Sequence, residues 1–101
     1  MHAVAQIKIQ EEMAAVEKLK ESIAKEMGTY GKNEVKNAVE SGAAESLLLI
    51  SEMTKESEGL VLLEMALKNR TEVIEISSHH HGGEMLIGLG GVAVVLRYKL
   101  T

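Results

Sequence analysis

Residues 29–51 read TYGKNEVKNAVESGAAESLLLIS. The last part decides the fold. Leu47–Ile50 is an unbroken apolar run with polar residues only at its ends, Ser46 and Ser51. A strand with apolar residues at every position is buried on both faces, and such strands sit at the centre of α/β sheets. Upstream, Val35, Ala38 and Val39 follow the i, i+3, i+4 spacing of a helix with one core-facing stripe. The spacing predicts a short extended entry ending at Gly31, a helix to about Ser41, a turn at Gly42 and a strand over 46–51. Gly31 stands at the N-cap, with Glu34 in the place of a capping-box acid.

Working outward, residues 5–27 read as one long helix. Ile9, Val16, Ile23 and Tyr30 fall seven apart, with Met13, Leu19 and Met27 beside them, and Gly28 is a natural stop. Downstream, EMTKESE over 52–58 is a polar loop, with Ser57 as N-cap of a third helix over 58–69. Glu64 and Lys68 mark that helix's wet side. TEVIEIS over 71–77 predicts a strand, SSHHHGG a loop, and 82–88 a short fourth helix. GLGG then leads into a final strand over 92–98, whose apolar run Val92–Leu96 again has no wet face. Strict alternation of helices and strands predicts an α/β fold: a three-layer α/β/α sandwich around a central mixed sheet.

Composition narrows the function. The 101 residues suit one domain and carry no Cys, Pro, Trp or Phe, so the core is aliphatic and thiolate metal sites and disulfides are excluded. The net charge is −4, from 15 acidic and 11 basic residues, a poor match for a nucleic-acid surface. No apolar run approaches the ~20 residues of a membrane span. No basic stretch leads into an apolar one at the start, so a soluble, cytoplasmic protein without a membrane partner is expected.

Several clusters hold chemically capable residues. His79, His81 and Glu84 have metal-ligand chemistry, but adjacent residues on an extended segment point to alternate sides, so a solvated loop capping the fourth helix is the preferred reading. Ser77, Ser78, the histidines and Glu84 include the residue types of a hydrolase triad, yet neither serine sits in a nucleophile elbow. The late glycines follow a helix and open a strand, the reverse of a phosphate loop. Glu11-Glu12 reads as a solvated pair. No catalytic set and no cofactor are expected.

Three longer patterns carry a resemblance. Tyr30-Gly31, Glu34-Val35, Ala38 and Gly42-Ala43 before Leu47–Ile50 resemble the opening of the C-terminal domain shared by Pelota and the archaeal and eukaryotic class-1 release factors. The ending GLGGVAVVLRYKL is similar to the close of that domain at Gly90, Gly91, Ala93, Leu96, Arg97 and Tyr98. SSHHHGGEML resembles its middle at Ser77, His80, Gly83, Glu84 and Leu86, while His79, His81 and Met85 depart from it. Release factors carry a long insertion where this chain has only EMTKESE, which favours the Pelota branch. A class-1 release factor domain is one alternative.

The resemblance implies a non-enzymatic interaction domain in ribosome rescue and mRNA surveillance. It would dock an elongation-factor-type translational GTPase, an ABC-type recycling ATPase and the ribosome. The ribonuclease activity credited to the family belongs to a different domain. The resemblance further implies that residues 1–28 are a connector and 29–101 the domain proper, within a longer protein. The segment GKNEVKNAVESGAAE also resembles the signature of kink-turn-binding ribosomal proteins, which share the sandwich fold. On that alternative Gly31, Asn33 and Glu34 match the residues that touch RNA, while the lysine expected next falls on Asn37, with Lys36 adjacent; direct RNA binding runs against the acidic charge. The residues proposed to meet a partner or RNA are Gly31, Asn33, Glu34, Lys36 and His80.

Overall fold

The computed structural model describes residues 2–98, and the side chains of residues 10–98. Its elements are α1 (His2–Ala24), β1 (Gly28–Tyr30), α2 (Lys32–Glu40), β2 (Ala44–Ile50), a 3₁₀ turn (Ser51–Lys55), α3 (Ser57–Lys68), β3 (Glu72–Ile76), α4 (His81–Gly88) and β4 (Val92–Leu96). The sheet order is β1-β4-β2-β3. β2 runs parallel to β3, and β4 lies antiparallel between β2 and β1. α1 and α4 pack together on one side of this mixed sheet, and α2 and α3 on the other. The three-layer sandwich is therefore present.

The core follows from the two apolar runs. Every residue of Leu47–Ile50 and Val92–Leu96 is buried. β2 and β4 are adjacent, with Leu47 opposite Val94 and Leu48 opposite Ala93. Val35, Ala38 and Val39 cover one side and Val16, Leu19 and Leu86 the other. Among the described residues, no helix is long and apolar enough to cross a membrane.

The ends of the elements differ from expectation for physical reasons. β2 starts at Ala44, two residues early, because a bulge between Ala44 and Ser46 accommodates the exposed Glu45. The polar 52–58 segment is partly a 3₁₀ turn that buries Met53. Ser57 is the first helical residue; Glu56 takes the N-cap position and makes no side-chain cap. Gly31 does occupy the N-cap of α2, but Glu34 supports no capping box there. Met13 is 40% exposed, outside the stripe it was placed in. The side chain of Ile9, and residues Lys99 and Leu100 of the family-like ending, lie outside the described residues.

All four helices stop in the same way. The N–H of Met27, Ala43, Thr71 and Gly91 donates to the carbonyl five residues back, on Ser22, Ala38, Ala66 and Leu86. The preceding residue is left-handed in each case: Glu26 (φ 61°), Gly42 (φ 75°), Arg70 (φ 56°) and Gly90 (φ 101°). This is the Schellman closure. The stop of α1 thus falls on Glu26 and not on Gly28, whose lack of a side chain lets β1 pass close to Ser22 and Ile23.

Arg97 fastens the far end of the sheet. Its Nε donates to the Ala44 carbonyl at 3.1 Å, and its Nη2 donates to the carbonyls of Arg70 at 3.0 Å and Asn69 at 3.5 Å. One guanidinium thereby joins the start of β2, the end of β4 and the turn that follows α3. Arg97→Ala is expected to lower unfolding free energy by about 1–3 kcal/mol in urea titrations. Arg97→Lys should recover only part of it, since an ammonium cannot fork across separate carbonyls.

Candidate functional site

The carboxyl ends of the parallel strands β2 and β3 open onto one rim. β2 delivers the chain into the 3₁₀ turn, and β3 delivers it into the histidine segment 77–81. The start of α2 lies on the same rim, because the Gly31 N–H donates to the Val92 carbonyl at 3.3 Å. Gly31 holds φ 91° and ψ 147°, a conformation open in practice only to glycine.

Two polar ties cross the rim's outer surface. Lys32 Nζ lies 3.0 Å from Glu58 Oε2, joining the starts of α2 and α3. The hydrogen bond to Glu58, together with its charge, raises the Lys32 pKa. Ser78 Oγ donates to Glu52 Oε2 at 2.8 Å, joining the histidine segment to the 3₁₀ turn. That hydrogen bond is the main reason the Glu52 carboxyl sits below the usual carboxylate range.

A third polar system lies inside. The Ser77 N–H donates to Glu12 Oε1 at 2.7 Å, and His80 Nε2 meets the same oxygen at 2.8 Å. The Gly82 N–H donates to His80 Nδ1 at 3.1 Å, which makes His80 the side-chain cap of α4. Because Nδ1 accepts, Nε2 carries the proton and donates it to Glu12. The side chains of Glu12 and His80 are only 5% and 11% exposed. Gly83 closes the arrangement, since a Cβ there would overlap the Ser77 carbonyl.

The expected site residues therefore divide. Asn33 and Lys36 line an open groove between α2 and α3 with Lys32, Glu58, Val61 and Leu62. Glu34 is exposed on the same first turn of α2. His80 does not join them, because both of its ring nitrogens are used within the fold. His79 and His81 are exposed. His81 Nδ1 stands 3.7 Å from Glu84 Oε2, and the His79 N–H donates to Ser77 Oγ at 3.2 Å. Among the described residues, no group of three His, Asp or Glu side chains is placed to hold a metal ion. His79, His81 and Glu84 are thus not assembled into one.

Glu12 corrects its reading as one of a solvated pair: Glu11 is exposed, but Glu12 is buried. The signal was available, because Glu12 stands seven residues before Leu19 on the stripe that faces the core. α3 adds a second feature that its wet-side reading missed. Besides Glu64 and Lys68, it exposes Leu60, Val61 and Leu67, the last at 76%.

Residues 9–100 match the protein family described as eRF1 domain 3. A Pelota homolog from Pyrococcus horikoshii is 43% identical over 97 residues, covering 92% of this chain and 27% of the relative. The chain thus spans about a quarter of the length of the curated relatives it matches. A chain from a model of ribosome-bound archaeal Pelota and ABCE1 superposes with a TM-score of 0.83 at 35% identity, covering 99% of this chain and 29% of that one. S. cerevisiae Dom34, described as a termination-like factor interacting with Hbs1, gives 0.81 at 28% identity, covering 90% and 28%.

Glu12→Ala strands two buried donors, the Ser77 N–H and the His80 Nε2–H, and is expected to cost about 2–4 kcal/mol in urea unfolding. For the outer tie, the sign follows from the depressed Glu52 carboxyl. Its contribution is present above the unfolded-state value and is lost as pH falls through the folded-state value. In an NMR pH titration Glu52 should titrate below the ordinary Glu value of about 4.3, and Ser78→Ala should move it upward.

Proposed function

The chain belongs to the eRF1 domain 3 family, and from that premise we propose that it is a non-catalytic interaction domain of a Pelota-like factor. In this reading the factor works in the cytoplasm on stalled ribosomes, in rescue, recycling and mRNA surveillance. The domain docks a translational GTPase of the elongation-factor type and an ABC-type recycling ATPase. Residues 29–101 form the docking body, and residues 1–28 are the connector from a preceding domain, packed onto that body through Val16 and Leu19. The observation that carries this reading is the family match over residues 9–100, supported by the archaeal Pelota relatives.

The surface is the rim extended over the outer helices: the first turns of α2, the 52–58 segment and the exposed histidines. Lys32–Glu58 and Ser78–Glu52 bridge these segments across the surface. Beside them Leu60 and Val61 present apolar side chains, with the cation of Lys36 nearby. Aliphatic contacts ringed by charges are the usual anatomy of a protein interface. The kink-turn alternative uses the same first turn of α2, and its Lys32 is already paired with Glu58.

Immobilised chain is expected to retain the GTPase or the recycling ATPase of an archaeal source. The double variant Lys36→Glu/Val61→Asp should weaken binding by about tenfold or more, roughly 1.4 kcal/mol. Retention of neither partner defeats the proposal. A salt-dependent mobility shift with a kink-turn RNA, lost in Asn33→Ala/Glu34→Ala, would replace it with RNA binding.

A further inference from the structure

β3 is an edge strand, with β2 on one side and no strand on the other. Among the described residues, no backbone hydrogen bond reaches the outer side of residues 72–75. The strand reads Glu72-Val73-Ile74-Glu75. Side chains alternate across a strand, so each face of this edge presents one carboxylate and one aliphatic side chain. Glu72 and Glu75 are exposed, while Val73 and Ile74 are half-buried. Together with Glu11, Glu12 and Ala15 of α1 they line an open groove of about 370 Å³, and among the described residues no basic side chain lines it.

We propose that this edge is a docking site for an extended segment of a partner protein with the pattern basic–aliphatic–aliphatic–basic, which adds to the sheet as a fifth strand. The backbone of the added strand would satisfy the open edge of β3, as in β-strand addition. Its two cations would lie across from Glu72 and Glu75 and its two aliphatic residues across from Val73 and Ile74. Opposite charges paired across strands stabilise a sheet, and like charges oppose it. The Glu-Val-Ile-Glu order reads nearly the same in both directions, so the match holds for either strand polarity.

The same charges argue against a second copy as the occupant. Antiparallel self-pairing of β3 would set Glu72 against Glu75 twice. Carboxylates on an edge guard it from its own copies and leave it open to a segment of opposite charge. The inference rests on β3 and the start of the core-packed part of α1, and it does not depend on the family reading.

The test is an NMR titration of the ¹⁵N-labelled 101-residue chain with a synthetic peptide carrying Lys-Val-Val-Lys at its centre. The expected result is shift changes centred on residues 72–76 and slowed amide exchange on the outer side of β3. A peptide with Glu-Val-Val-Glu should not bind. Glu72→Lys/Glu75→Lys should lose the Lys peptide by about tenfold or more and gain the Glu peptide. These substitutions are on exposed positions, and an unchanged spectrum elsewhere shows that the fold is intact. The idea is overturned if no shifts fall on β3. It is also overturned if a peptide with both valine amides N-methylated binds equally well, which would indicate charge attraction alone. A β3-paired dimer of the chain in sedimentation would overturn it too.

Discussion

Two neighbouring strands without a wet face set the rest of the structure. β2 and β4 lie side by side in the middle of the sheet, and Leu47–Ile50 and Val92–Leu96 are buried throughout. Such a pair cannot be covered by one layer of helices, so both faces need one. With no Phe or Trp in the chain, the cover consists of short aliphatic side chains. Helices must then approach the sheet closely, which is why Ala38, Ala43, Ala66 and Ala93 are fully buried. Close packing of small groups leaves little slack, and a core of this kind transmits small misfits directly. The polar network is correspondingly complete: among the described residues, no buried side-chain nitrogen or oxygen lacks a partner.

This constraint also explains what could be read in advance. Runs of apolar residues and the 35-38-39 stripe are local patterns, and they located every helix and strand to within a few residues. Strand order was less legible. Nothing in Val92–Leu96 itself says that β4 inserts antiparallel between β1 and β2. The helix stops were partly hidden for another reason. Gly42 and Gly90 announce a left-handed turn, but Glu26 and Arg70 adopt the same conformation without the usual residue. There the geometry is imposed by the strand that follows, and each residue accepts a modest cost. Glu12 was hidden because adjacent glutamates look solvated, although its place on the stripe turns it inward.

The histidine segment shows how a resemblance is expressed in packing. Of the positions that resemble the family's pattern, Ser77 supplies the N–H bound by Glu12, His80 caps α4, Gly83 admits the Ser77 carbonyl, and Leu86 is buried. His79 and His81, which depart from it, are exposed. The matching positions mainly do structural work; of the departures, His79 and His81 face solvent and Met85 packs half-buried against the core. Three adjacent histidines thus have two different fates: His79 lies in a turn and His81 opens α4, both facing solvent, while His80 at the N-cap between them turns inward.

The division between inside and outside bears on function. Catalysis by a histidine–carboxylate pair requires a ring nitrogen facing a substrate, and here both nitrogens of His80 are occupied, by Glu12 and by the Gly82 N–H. The pair instead fixes α1 to the start of α4, directly behind the rim. The surface is held from behind in this way, and exposed polar contacts, Glu52–Ser78 and Lys32–Glu58, bridge its segments in front. Preorganisation of a surface lowers the cost of binding without adding contacts.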